Sequence, residues 1–122
     1  MKYTTLYLDD SGDSHFKDVD VEFESVNFAP PAPPVDLSKF INVSQLVFFR
    51  TPAGWFGDWH PTPKRQFFCC LSGEAELTTS DGETRIFGSG DVFLLEDTSG
   101  KGHRTRIGGK EDFVAAVIQL QT

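Results

Sequence analysis

The fold is decided by residues 54–103, which read GWFGDWHPTPKRQFFCCLSGEAELTTSDGETRIFGSGDVFLLEDTSGKGH. Within this stretch, short apolar segments at 66–71, 84–87 and 91–95 alternate with turns that are rich in glycine, serine and aspartate. The turn at 80–82 (SDG) is a strong hairpin signal, because glycine adopts a positive φ without steric cost. Many short strands separated by such turns predict a sandwich or a barrel.

The strand pattern continues on both sides of this stretch. Apolar segments, several of them alternating, predict further strands at 2–8, 19–24, 43–50, 74–79, 103–107 and 113–120. Residues 11–18 (SGDSHFKD) are predicted to form a turn, and 36–40 a short helical turn. Residues 29–35 (APPAPPV) predict a stiff, extended connector, because proline fixes φ and lacks a backbone donor. No segment with a helical period exceeds two turns, which excludes a parallel α/β fold.

The composition is typical of one folded domain with an acidic surface. The chain has 122 residues, of which 39% are hydrophobic and 13% aromatic. This composition is too apolar for a disordered chain. Its 11 Lys and Arg against 18 Asp and Glu give a net charge of −7, and such a surface repels phosphate backbones and anionic lipids. We therefore expect no nucleic-acid partner and no membrane partner. The two adjacent cysteines form no disulfide framework and the first residues lack the layout of a signal peptide, so we expect a cytoplasmic location.

The spacing of residues after Gly54 resembles the first motif of the cupin superfamily, G-x5-H-x-H-x3,4-E-x6-G. His60 follows Gly54 after five residues, and Thr62 comes two positions later. Gln66 follows after three more residues and Gly73 after a further six. The spacing therefore fits throughout. Two residues differ from the motif, since Thr62 replaces the second histidine and Gln66 replaces the glutamate.

The second cupin motif, G-x5-P-x-G-x2-H-x3-N, is similar to the segment that opens at Gly90. His103 takes the position of its histidine, after a loop that is two residues longer than the motif. Glu96, Thr98 and Ile107 replace its proline, glycine and asparagine. The resemblance rests on glycines and strand spacing and covers about half of the chain.

The resemblance implies an all-β domain in two parts. Residues 43–122 are expected to form the cupin double-stranded β-helix, which is a jelly-roll barrel. Residues 1–42 are expected to form N-terminal strands and a proline-rich arm that pack on the barrel or on a partner. Cupin proteins commonly dimerise through sheets and N-terminal strands, so we expect a symmetric homodimer. The role of the longer loop at 96–102 stays open.

Members of the cupin superfamily usually hold a divalent metal ion with three imidazoles and one carboxylate. Here the corresponding ligands would be His60, His103 and Gln66. An amide and a hydroxyl are weaker ligands than the carboxylate and the imidazole they replace. The sequence therefore favours a metal-free cavity and leaves open a single Fe, Mn, Ni, Cu or Zn ion.

Residues that face this cavity are predicted to bind a small organic molecule. His60 and His103 are candidate acid–base residues, with Gln66 orienting the substrate. Gln66 and Phe68 share one strand face, which by the resemblance points into the barrel. The other candidate substrate-binding residues are the aromatic Trp55 and Trp59, together with Thr62 and Arg65.

Two classes of function follow from these residues. The first is an enzyme that acts on a small organic molecule, as cupin lyases, isomerases and oxygenases do. The second is a non-catalytic small-molecule-binding or sensor module without a metal. The two histidines and the motif spacing favour the first, and the altered ligand set favours the second. The sequence names neither the substrate nor the reaction.

Overall fold

The computed structural model describes residues 1–122 and consists of strands joined by turns and loops. The strands are β1 (Lys2–Leu8), β2 (Ser14–Asp20), β3 (Glu24–Val26), β4 (Val35–Leu37), β5 (Val43–Thr51), β6 (Phe56–His60), β7 (Gln66–Ser72), β8 (Ala75–Thr79), β9 (Thr84–Phe87), β10 (Val92–Leu95), β11 (His103–Ile107) and β12 (Phe113–Leu120). No helix is long and apolar enough to cross a membrane.

Two sheets form the body of the molecule. The larger has six strands in the order β2-β1-β10-β7-β12-β5, and the smaller has four in the order β6-β11-β8-β9. Apart from the hairpins β1–β2 and β8–β9, neighbours in these sheets are far apart in sequence, as in a jelly roll, and only β1 and β10 pair in parallel. The predicted all-β jelly-roll fold is therefore confirmed.

The core lies between the two sheets and follows from the alternation of each strand. Register pairs Phe68 of β7 with Phe93 of β10 and with Val117 of β12, so these side chains share the inner face. Leu77 of β8 and Ile107 of β11 are buried in the same cluster from the opposite sheet. Burial of each such side chain stabilises the fold by about 1.5–3 kcal/mol relative to exposure.

Several segments differ from the prediction, among them β6 at Phe56–His60, where no strand was predicted. Residues 14–20 form β2, although 11–18 was predicted as a turn and a strand was placed at 19–24. Polar and charged residues conceal this strand, which pairs with β1 along its whole length. Residues 35–37 form β4 in place of the helical turn predicted at 36–40, because they pair with β3.

The N-terminal strands extend the large sheet. β1 pairs with β10 from Thr4 to Leu6, and β2 adds the last strand on that side. Strands from before and after residue 42 share one sheet. The domain boundary predicted at residue 42 stays a prediction.

The outer face of the large sheet, which points away from the core, is also apolar. Phe67 of β7 and Ile118 of β12 are paired on this face and pack in a second cluster with Tyr3. Next to them, at the free edge of the sheet, Leu46 and Phe48 of β5 are 56% and 72% exposed. Apolar side chains therefore continue from the middle of this face to its edge.

Three loops meet at one end of the molecule around Gly102. Ser14 is fully buried, and its Oγ donates to the Gly102 carbonyl over 2.7 Å. The backbone N–H of Ser80 donates to the same Oγ over 2.8 Å. Gly102 has φ of +73° and lies directly against the His60 carbonyl. The loop at 96–102 is thus fixed by both hairpins and by the end of β6.

His15 joins two of these loops. Its Nε2 lies 2.6 Å from an Asp9 carboxylate oxygen, and its Nδ1 lies 2.9 Å from one of Asp81. The pKa of His15 is raised, chiefly by the hydrogen bond to Asp9 and further by Asp81, while partial burial opposes the increase. The pKa of Asp9 is lowered, chiefly by the same hydrogen bond.

Candidate functional site

A cavity of about 380 Å³ opens between the two sheets. Residues of the first motif line part of it, and half of its lining residues are hydrophobic. The predicted site residues that line it are Trp55, His60, Thr62, Gln66, Phe68 and His103. Its volume is in the range of small-molecule sites.

His60 and His103 face each other across two paired strands. His60 ends β6 and His103 begins β11, and the two residues are register partners. Their ring centroids are 4.7 Å apart, with the rings tilted by 56°. His103 is buried, whereas His60 is half-buried.

Each imidazole is held through its Nδ1 atom. His103 Nδ1 lies 2.5 Å from Oδ2 of Asp97, a carboxylate that is fully buried. His60 Nδ1 lies 2.6 Å from the backbone carbonyl of Asp58. The Nε2 atoms of the two rings have no hydrogen-bond partner within the protein. They are therefore the atoms available to a ligand.

Gln66 is already hydrogen-bonded to the protein on both sides of its amide. Its Nε2 donates to Thr62 Oγ1 over 3.2 Å, and its Oε1 accepts from Gln119 Nε2 over 3.2 Å. Thr62 Oγ1 in turn donates to the Lys64 carbonyl over 3.2 Å. The chain Gln119–Gln66–Thr62–Lys64 therefore satisfies the polar groups on this wall.

Trp55 lies at the cavity, packed onto Gly57 of β6. An added Cβ at Gly57 would overlap the indole ring of Trp55 and come within 3.2 Å of Cε1 of His60. Glycine at this position therefore lets the indole lie flat against the strand beside His60. Trp55 is 37% exposed, so its ring is accessible at the mouth of the cavity.

Two predicted ligand-binding residues do not line the cavity. Lys101 Nζ lies 4.0 Å and the Arg104 guanidinium 5.1 Å from the centroid of the Trp59 ring, so this ring packs against two cations. Arg65 donates two hydrogen bonds to Glu96, over 2.6 and 2.9 Å, and a third to the terminal Thr122 carbonyl. Contacts with these partners explain why the side chains of Trp59 and Arg65 lie outside the cavity lining.

Asp97 and Thr51 are site residues that the sequence did not single out. Asp97 stands in the loop whose role was open, six positions before His103, and its partner could not be read from the sequence. Its Oδ1 atom is buried without a hydrogen-bond partner. Thr51 lines the cavity, and its Oγ1 is likewise buried without a partner. No motif marks Thr51.

The donor set does not reproduce the one that the cupin resemblance implies for a metal. No group of three or more His, Cys, Asp or Glu side chains is placed to hold an ion. The two imidazoles come together, but the Gln66 oxygen already accepts from Gln119 and no Asp or Glu lines the cavity. Two neutral nitrogens alone are a poor match for the usual divalent sites.

The cysteines next to this wall are unreactive by position. Cys69 and Cys70 are free thiols on opposite faces of β7. Burial raises the pKa of both, and it raises that of Cys70 to about 12, with Asp91 and Cys69 adding to the effect. A thiol with a raised pKa is a weak nucleophile at neutral pH.

Comparison with known proteins gives a family and a fold. The family model described as "Cupin domain" matches residues 47–119. A cupin 2 conserved barrel domain protein from Salinispora arenicola is 20% identical, with a TM-score of 0.51 over 84% of this chain and 76% of that one. The Cnp3 cupin domain of Schizosaccharomyces pombe is 17% identical, with a TM-score of 0.51 over 99% of this chain and 88% of that one. No functionally curated protein matches the chain.

Proposed function

The chain belongs to the cupin domain family, and from that premise we propose that it binds a small organic molecule in the cavity between its two sheets. The observation that carries the proposal is the pair of histidines at that cavity, whose Nε2 atoms lack protein partners. Such atoms in a cavity whose lining residues are half hydrophobic are anchors for a polar group of a ligand. Trp55 and Phe68 would pack against its apolar part.

The reaction class that best fits this arrangement is proton transfer, as in an isomerase or a lyase. An imidazole whose Nδ1 is held by a buried carboxylate can take a proton at Nε2, which is the role of a general base. His103 has this arrangement with Asp97, and His60 lies close enough to act on the same ligand. Gln66 is less available to orient a substrate than the sequence predicted, because its amide is hydrogen-bonded to Thr62 and Gln119.

A non-catalytic binding module is the second candidate. The internally satisfied Gln66 chain favours it, because that wall offers little polar reactivity to a substrate. Once a binding compound is known, exchange of its carbon-bound protons with solvent distinguishes the enzyme from the binding module. If wild-type protein catalyses exchange of a carbon-bound proton of the ligand with D₂O, and His103→Gln does not, the protein is an enzyme. Binding without exchange indicates the module.

Ligand binding is tested by thermal shift with a library of small neutral and anionic metabolites. Compounds that raise the melting temperature of the wild type are then tested on His103→Gln and on His15→Gln. His15 lies outside the cavity and serves as the matched control. We expect the shift to be lost in the first variant and kept in the second. Equal shifts in both variants would place the ligand elsewhere and overturn the proposal.

The donor set leads us to propose that this binding needs no metal. Metal content by plasma mass spectrometry, after incubation with Fe, Mn, Ni, Cu and Zn and removal of free ions, tests it. We expect well below one equivalent. Stoichiometric metal that is lost in His60→Ala and in His103→Ala would overturn the metal-free proposal and return the oxygenase class.

We further propose a homodimer, with the outer face of the large sheet as its interface. The exposed residues that continue the apolar surface described above are Phe40, Ile41, Val43, Leu46 and Phe48, between 49% and 86% exposed. Phe40 and Ile41 line a groove with Phe67, which joins them to that surface. From typical side-chain areas they expose on the order of 500 Å² of apolar surface. This is more than half of the roughly 800 Å² per partner that a stable interface buries, and we propose a second copy as the occupant because a symmetric pair matches the same apolar face on both partners.

Light scattering coupled to gel filtration tests the dimer. Phe48→Glu should convert the dimer into a monomer, because two copies of the charge would be buried at the interface. Ile86→Glu is the matched control, since Ile86 is 61% exposed on β9 of the other sheet. A monomeric wild type, or a dimeric Phe48→Glu variant, would contradict this interface.

A further inference from the structure

Asp97 is the one fully buried carboxylate, and it sits behind His103 and outside the cavity lining. Its backbone carbonyl accepts from the Thr62 N–H over 3.0 Å, which fixes the loop at the end of β10 against the segment after β6. Its side chain makes one hydrogen bond, to His103 Nδ1. A buried charged group with a single partner determines the orientation of that partner strongly.

The hydrogen bonds at both rings fix the position of the ring proton. An ionised carboxylate and a backbone carbonyl can only accept. The ring proton of neutral His103 therefore sits on Nδ1, facing Asp97, and that of His60 sits on Nδ1, facing the Asp58 carbonyl. Both Nε2 atoms then carry a lone pair. The cavity therefore presents two hydrogen-bond acceptors, and its ligand must supply the donors.

We infer that Asp97 is a positioning residue that fixes His103 Nε2 as an acceptor, and that the ligand is a flat apolar molecule with two adjacent O–H or N–H donors. The flat body follows from the wall, where Phe68 stacks on Phe93 at 4.9 Å and meets Phe49 edge-on at 5.2 Å. The ring centroids of the two histidines are 4.7 Å apart, so one small ligand can contact both imidazoles. This inference rests on the proposed ligand binding and names its ligand class.

Nitrogen NMR of the full chain labelled with ¹⁵N-histidine tests the positioning role without any ligand. At about pH 8, wild-type His103 should show the Nδ1–H tautomer, because Nδ1 faces the Asp97 carboxylate. Asp97→Asn should raise the Nε2–H population, because the amide nitrogen can donate to Nδ1. Asp58→Asn is the matched control, since His60 is held by the backbone carbonyl there and not by the side chain. Its spectrum should keep the wild-type tautomers.

The wild-type spectrum alone can overturn the inference, whether or not Asp97→Asn folds. An Nε2–H tautomer or an imidazolium at His103 under these conditions would refute the role of Asp97. A loss of stability in Asp97→Asn with unchanged tautomers would show that the residue is merely structural.

The ligand class is tested with catechol and 1,2-dimethoxybenzene, which share a flat ring and differ in the two donors. We expect catechol to bind wild type at least about tenfold more tightly, since each lost hydrogen bond costs on the order of 1 kcal/mol or more. Asp97→Asn should weaken catechol binding by about tenfold. Equal binding of both compounds would overturn the donor class and leave the cavity function standing. Binding of neither, with the expected tautomers, would overturn the ligand class and the cavity function and leave the positioning role.

Discussion

Replacing Gly102 with alanine should destabilise the protein well beyond the usual cost of a turn glycine. Gly102 has φ of +73°, a conformation that costs an alanine about 1–2 kcal/mol. In addition, the new Cβ would come within 2.6 Å of Pro61 Cα and closer still to the His60 carbonyl. The neighbours are backbone atoms, so they cannot rotate away as a side chain would.

The magnitude follows from these two contributions. Forcing the backbone apart is a form of overpacking, which costs typically about 1–3 kcal/mol. With the conformational cost, Gly102→Ala should lose about 2–5 kcal/mol of the free energy of unfolding. Gly109→Ala is the matched control, because Gly109 has φ of +70° with no heavy atom within 4 Å of an added Cβ. It should lose only about 1–2 kcal/mol.

Urea unfolding followed by tryptophan fluorescence measures both variants against wild type. The difference between them isolates the contact of Gly102 with the end of β6. If the two variants lose the same free energy, the close approach of the 96–102 loop to His60 is wrong. His60 would then lack the loop contact that holds the end of β6.

Three further predictions concern the core, the N-terminal hairpin and the thiols. Leu77→Ala should cost about 2–5 kcal/mol in urea unfolding, because Leu77 is 2% exposed between the two sheets; a loss under 1 kcal/mol would contradict its place in the core. His15 has a raised pKa, chiefly through Asp9, so its stabilising effect is complete below about pH 6.5 and is lost as the pH rises through the folded value. The melting temperatures of wild type and His15→Gln should therefore differ more at about pH 6 than at about pH 9, and a constant difference would refute the ion pair. Cys69 and Cys70 should both react slowly with iodoacetamide at about pH 8 and rapidly after unfolding, as judged by mass spectrometry; rapid labelling of folded protein would contradict the raised pKa values of the two thiols.

The fold was largely readable from the sequence because its signals are local. Gly-rich turns and alternating segments predicted β5 and β7 to β12 to within a residue or so. β2 escaped because its side chains are mostly polar and its pairing with β1 supplies the stability that its composition does not indicate. β6 escaped because an aromatic loop and a short strand have the same composition, and only pairing with β11 distinguishes them.

The site was readable only where spacing carries the information. The motif spacing placed His60, Gln66 and His103 at one cavity. The partners of these residues depend on contacts between distant parts of the chain. Gln119 lies 53 residues from Gln66, so no local pattern could show that its amide engages the Gln66 oxygen. The pairing of Arg65 with Glu96, 31 residues away, was hidden for the same reason.

The parallel pairing of β1 with β10 has a consequence for the order in which the chain folds during synthesis. β1 and β2 can form a hairpin as soon as they emerge, but β10 begins about 85 residues after β1 ends. At typical elongation rates of about 5–20 residues per second, the hairpin waits on the order of ten seconds for its partner. During that interval the edge of β1 is open. The first strand of the chain is therefore among the last to be enclosed, and nascent chains are most vulnerable to pairing with one another in this window.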